Sequence, residues 1–207
     1  MKNLRTLVDE CVTKLCDEIV KADLTDELTY ANWLAQTYFY TSSSEQILRF
    51  SAIKSKDKET SERWLEHADE ETGHENLALS DLKKLGHDIK DYHEFEETRL
   101  FYQTQIYNAQ LLGGESVFGW VLALEAFAAN FPEDYLKNII NEHSKAASRF
   151  LIVHTNEDIE HIEKAFESVE KLDNLELIIE NMELTTQRYI NLLRKCSEAA
   201  KSNRIAA

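Results

Sequence analysis

Proline occurs once in the 207 residues and glycine five times. That is too few chain breakers for the many turns of an all-β sandwich or barrel. Cysteine is scarce too. Cys11, Cys16 and Cys196 stand at the two ends of the chain, an odd number without CxxC spacing, which excludes a disulfide framework and fits a reduced, cytoplasmic protein. No apolar run reaches the roughly 18 residues that a membrane span needs. The N-terminal MKNLRTLVDECVTK lacks the uninterrupted apolar core of a signal peptide. Basic residues are outnumbered, 23 Lys and Arg against 38 Asp and Glu, for a formal net charge of −15. With no Lys/Arg cluster, the chain offers no basic face to nucleic acid or to an anionic membrane. The expectation is a soluble protein with one domain over residues 1–207, long enough to bury a core without disulfides or a structural metal.

What the chain does contain is helical periodicity. Leu4, Leu7, Val8, Val12, Leu15 and Ile19 make one amphipathic face over residues 3–22. Thr25-Asp-Glu-Leu reads as a capping box opening a second helix with Leu28, Trp33, Leu34 and Tyr38. The polar stretch Thr41–Ser44 is placed to bend it before Ile47, Leu48 and Phe50 resume the pattern. A long helix is expected from Ser61 to Gly86, another over 94–111 closed by Gly113-Gly114, and an apolar one over 116–130. Pro132 opens a helix towards Phe150, Thr155-Asn-Glu-Asp reads as a further start, and a last helix runs from about Asp173 to Ala200. The class is all-α, a bundle of seven to eight helices.

Two short segments hold four of the seven histidines. In His67-Ala-Asp-Glu-Glu-Thr-Gly-His74, the residues His67, Glu71 and His74 recur at i, i+4 and i+7 and share a helix face. In His154-Thr-Asn-Glu-Asp-Ile-Glu-His161, the residues His154, Asp158 and His161 repeat that spacing. Glu125 is the sole charge in the apolar stretch 117–129. An ionised carboxylate buried there costs several kcal/mol unless a cation or hydrogen bonds compensate it. Together Glu71, His74, Glu125, His154, Asp158 and His161 offer three nitrogen and three carboxylate ligands. That set suits iron or manganese better than a closed zinc site, which prefers thiolates. A Thr155 cap would leave His154 just outside its helix; a helix running through would place it within.

The run Trp64-Leu-Glu-His67-Ala-Asp-Glu-Glu71-Thr-Gly-His74, followed by Glu125 and His154-x3-Asp158-x2-His161, resembles the haem-oxygenase-like di-metal oxidases, of the superfamily that includes TenA, PqqC and the CADD-type proteins. The resemblance spans about Thr25 to Leu172. It implies a haem-oxygenase-like bundle with two iron ions between core helices, dioxygen and a small or amino-acid-derived molecule as substrates, and a homodimer. By similarity His74, Glu125, His154, Asp158 and His161 are ligands, with Glu71, Glu125 and Asp158 as the carboxylates of the catalytic centre. Some members carry a Glu seven residues before the His74 equivalent, where this chain has His67, and others resemble the Glu71-x2-His74 arrangement. Glu71 is therefore the expected ligand and His67 the alternative.

Other readings stay open. A ferritin-like bundle would use Glu45, Glu71-x2-His74, Glu125 and Asp158-x2-His161. A TenA-type thiaminase needs a cysteine in a middle helix, and none lies between Cys16 and Cys196; the first histidine, His67, comes too late for a haem oxygenase. A cofactorless PqqC-like oxidase and a non-catalytic metal-binding interaction protein remain. So does a CADD-type enzyme, which makes para-aminobenzoate by consuming its own tyrosine, here Tyr38 or Tyr40. Trp33, Tyr38, Tyr40 and Trp120 are the candidate aromatic lining of a substrate pocket.

Overall fold

The computed structural model describes residues 3–172 and 175–206, the side chains of 157–160 and 203–206 aside. The described residues form α1 (Leu4–Ala22), α2 (Glu27–Thr41), α3 (Ser44–Lys54), α4 (Lys58–Glu71), α5 (Glu75–Lys84), α6 (Glu96–Leu112), α7 (Phe118–Ala129), α8 (Glu133–His143), α9 (Arg149–Val169) and α10 (Glu176–Ala206). Short 3₁₀ turns at Ile89–Asp91, Gly114–Val117 and Lys145–Ala147 join them, and no strand occurs among the described residues.

Several boundaries follow from side chains that satisfy the first amides of a helix. Asn3 accepts from Arg5 N before α1, and Asp57 accepts from Thr60 N before α4. For α2 the cap is Asp26, accepting from Thr29 N at 3.0 Å, one residue beyond the expected Thr25. The bend expected at Thr41–Ser44 is there. Thr41 Oγ1 donates to Thr37 O at 2.7 Å and Ser42 Oγ to Tyr38 O at 2.6 Å, local bonds that compete with the helical ladder.

The expected helix from Ser61 to Gly86 is broken. It stops at Glu71 and restarts at Glu75, with Thr72 extended and Gly73 at φ +91° between them. A lone glycine is tolerated inside helices as well as at their ends, so its presence did not announce the break. The helix expected up to Phe150 likewise ends at His143, and α9 begins at Arg149. Thr155 is therefore not a cap. Its hydroxyl bonds Ile152 O within α9, and His154 lies inside that helix.

The core draws on every helix, with Leu15, Ile19, Tyr30, Trp33, Leu34, Trp64, Phe101, Phe118 and Leu193 all buried. The central pair is α7, buried on nearly every side, and the long α10 that crosses α1, α2, α6 and α7. Gly119 sets how closely they approach. A Cβ there would lie 2.2 Å from Ile178 O and 2.6 Å from Met182 N on α10. Many of the polar groups buried in this core are paired. Gln36 Oε1 accepts from Phe95 N and Thr98 Oγ1, and its amide donates to His93 O. Glu18 takes two bonds from Arg194, tying α1 to α10.

Asp81 on α5 anchors the start of α9, accepting from Phe150 N at 2.8 Å. Burial pushes its carboxyl up to about 6, although the amides of Phe150 and Arg149 and the Arg149 charge pull the other way. A folded value above the unfolded value of about 3.9 means that folding favours the protonated form. The stability it contributes is full below about pH 3.9 and is lost as pH rises through about 6, amounting to at most about 3 kcal/mol. Asp81→Asn, which keeps an acceptor for Phe150 N, should flatten the melting temperature between pH 4 and 6.5 and raise it at pH 7. Thermal melts from pH 4 to 7 check both effects.

Candidate metal centre

Three helices and one turn converge on the histidine-rich region. α4 brings His67, Glu70 and Glu71; the turn after it brings His74; α7 brings Glu125; and α9, packed along α7, brings His154 and His161. Within α4 the spacing sets His67 and Glu71 on one side, and within α9 it does so for His154 and His161. His74, expected on the same helix face as His67 and Glu71, instead arrives from the turn made at Thr72 and Gly73. Asp158, the remaining expected ligand, stands on α9 between those histidines, but its side chain lies outside the described residues.

These side chains form two groups of three. In one, His67, Glu125 and His161 bring their ligand atoms within 4.8 Å of one another, and all three residues are buried. His67 Nε2 lies 2.8 Å from Glu125 Oε1, and His161 Nδ1 lies 4.0 Å from the same oxygen. In the other, Glu71, His74 and His154 meet the same limit. His74 Nδ1 is 3.4 Å from Glu71 Oε1, and the His74 and His154 rings stand edge to face at 5.0 Å. The groups adjoin, because His67 Nε2 is also 4.0 Å from Glu71 Oε1. His67 and Glu71, alternatives in the sequence, are thus both present, one in each group.

The electrostatics favour a cation. Glu125 is only 7% exposed, and its Oε2 has no hydrogen-bond partner among the described residues; neither has His67 Nδ1. An unpaired buried carboxylate oxygen is costly unless a positive charge meets it. Burial pushes the Glu71 carboxyl up, but the His74 hydrogen bond and the imidazoles of His67, His154 and His74 outweigh it and hold the group at about 2. Glu71 is therefore an ionised donor throughout the neutral range. His154 is oriented by its own helix. Its Nδ1 lies 2.8 Å from Phe150 O, a group that only accepts, so Nδ1 is the donor and, in the neutral ring, Nε2 keeps its lone pair. The ring also stacks on Phe150 at 4.0 Å.

Glu70 was not singled out by the sequence. It sits in an Asp-Glu-Glu run where spacing alone does not separate a ligand partner from a solvated acid. Its Oε2 lies 3.6 Å from His161 Nε2 and 3.5 Å from Arg63, and its Oε1 lies 3.3 Å from Lys164 Nζ. Burial raises its pKa, but the charges of Arg63, His161 and Lys164 outweigh it, leaving Glu70 below the usual carboxylate range. A carboxylate behind a histidine ligand fixes the ring and its basicity. Glu70→Gln is expected to weaken metal binding by about 10- to 100-fold, measurable by competition with a chromogenic chelator.

Beside the two groups lies a cavity of about 740 Å³, open solvent at its mouth included. His67, Glu71, Glu125 and His154 form part of its wall. Of the expected aromatic lining, Trp33, Tyr40 and Trp120 contribute and Tyr38 does not.

No protein-family model matches the chain, and no curated protein does. Solved structures do. A domain of unknown function from Shewanella denitrificans, described as having a haem oxygenase-like fold, superposes with a TM-score of 0.80 at 18% identity, over 100% of this chain and 97% of its own. A TenA homologue from Pseudomonas syringae pv. tomato superposes with a TM-score of 0.65 at 12% identity, over 93% and 91%. The fold is haem-oxygenase-like. The ferritin-like alternative falls with this result, and Glu45, which it required, belongs to neither group. Instead Glu45 accepts from Arg49 Nε at 2.8 Å on α3.

Proposed function

We propose that the chain is an enzyme, an oxygen-activating non-haem di-iron oxidase or oxygenase acting on a small organic molecule. The supporting observation is the adjacency of two three-ligand groups, with His67, Glu71, Glu125 and His154 in the wall of one cavity. His67, Glu125 and His161 would hold one ion, and Glu71, His74 and His154 the other, with Asp158 completing the set from α9. Four imidazoles, two or three carboxylates and no thiolate suit iron, with manganese as the alternative. The orphaned Glu125 Oε2 and His67 Nδ1 fit a bound cation better than an empty pocket.

Bound iron would supply the electrons that reduce dioxygen. The chain's own part is to orient and to exclude water. The bond from His154 to Phe150 O presents Nε2 as a donor without a rotamer search. Glu71 and Glu125 neutralise the metal charge in a setting with little water, where such attraction is stronger. Trp33, Phe127 and Phe150 keep the approach to the ligands apolar.

The test is to load purified protein with Fe(II) without oxygen, count iron per chain, and then admit air and follow oxygen uptake. Two iron ions in the wild type, with loss in His161→Ala and no uptake by that variant, support the reading. Wild-type protein that binds no iron overturns it. One observation favours a second version, in which the oxidised group is the chain's own Tyr40: that residue stands in the cavity wall. An unchanged intact mass after iron loading and exposure to air would rule that version out.

A further inference from the structure

The sequence left the substrate open between a general small molecule and one derived from an amino acid. The cavity narrows this. Among the described residues its lining holds no Lys and no Arg. Its charges are Glu71 and Glu125, both committed to the ligand groups. Most of the remaining wall is hydrocarbon or aromatic, with Trp33, Leu48, Leu124, Phe127, Phe131 and Leu151 prominent.

Most of the lining hydroxyls already have partners. Thr41 Oγ1 donates to Thr37 O, and Thr155 Oγ1 donates to Ile152 O. Tyr189 OH accepts from Trp33 Nε1 at 3.0 Å. The Trp120 indole N–H is a donor left over: it is buried and has no partner among the described residues.

From this lining we infer that the substrate is a largely hydrocarbon molecule, aliphatic or arylalkyl, with a single oxygen-donor head group and no fixed positive charge. The inference rests on the proposed metal centre for the place of the head group, and on the cavity wall alone for the tail. An ammonium group brought into this cavity would leave water for a wall whose carboxylates are already shared with metal, a transfer that costs several kcal/mol. A carboxylate or hydroxyl head can meet the metal charge or the Trp120 N–H. A methylene chain gains from each carbon buried.

The inference is tested by binding, read from tryptophan fluorescence and calorimetry. Hexanoate, octanoate, decanoate, the matching 1-alkanols and 2-aminooctanoate are titrated into Fe(II)-loaded protein without oxygen, and the alkanols also into metal-free protein. Affinity should rise about fourfold per methylene in both series until the cavity is full. The amino acid should bind at least tenfold more weakly than octanoate. Ala128→Phe, which fills the cavity from its wall, should weaken decanoate at least tenfold while helicity and iron content stay at wild-type values. Affinity that does not change with chain length, or 2-aminooctanoate binding as tightly as octanoate, overturns the inference. A chain-length dependence of the alkanols in protein that binds no iron would sink the metal centre and leave the tail assignment standing. Two bound irons without chain-length dependence would do the reverse.

Discussion

Metal-free Glu125→Gln is expected to melt no lower than the wild type, yet to lose the rise in melting temperature that Fe(II) gives the wild type. Glu125 is buried on α7 with one oxygen against His67 and the other unpaired. In the absence of a cation that carboxylate opposes folding, since its desolvation is only partly offset. Glutamine keeps the shape, offers an acceptor and a donor to His67 Nε2, and removes the charge. Metal at a hundred times its dissociation constant adds about 2.7 kcal/mol to the stability of a protein that binds it only when folded. For a chain of this length that corresponds to a shift of about 5–10 °C. Calorimetry with and without Fe(II) measures both quantities. A variant that keeps the full shift would remove Glu125 from the centre.

Gly119→Ala is expected to destabilise the protein by about 3 kcal/mol or more. In an ordinary helix interior the same change stabilises by up to about 1 kcal/mol, because alanine loses less conformational entropy than glycine. The sign reverses here because the added carbon meets the backbone of α10, at Ile178 O and Met182 N, rather than the yielding end of a side chain. Relief requires the two helices to separate. Glu125 lies further along the same α7, so whatever variant folds should also bind iron more weakly than the wild type. Urea unfolding gives the first effect and chelator competition the second. A stabilised Gly119→Ala would show that α7 and α10 are not in contact at this point.

Much of this arrangement was legible in the residues. The all-α class followed from the lack of proline and glycine and from apolar spacing. The bend before α3 followed from Thr41 and Ser42, whose hydroxyls do capture the carbonyls behind them. The spacing of His67 and Glu71 on α4 and of His154 and His161 on α9, with Glu125 in its apolar stretch, pointed to residues that the structure brings into two adjoining groups. What stayed hidden depends on contacts distant in sequence. That His67 belongs with Glu125 and Glu71 with His154 is decided by how α4 faces α7 and α9, and an i, i+4 pair cannot tell two adjoining groups from one. The start of α9 is set by Asp81 of α5, a cap from another helix, so the local Thr155 signal misled. Glu70 looked like any surface acid until Arg63, Lys164 and His161 surrounded it.

The two groups also differ in how readily substitution can retune them. His161 faces the side chain of Glu70, and exchanging that residue alters its surroundings directly. His154 is held by the carbonyl of Phe150, one turn back in its own helix, and every residue type placed at 150 supplies that same oxygen. A library of variants around the centre should therefore spread widely in affinity at the position served by His161. At the position served by His154 it should stay narrower, because the main chain keeps supplying the hydrogen bond and exchange at 150 alters only the stacking on the ring.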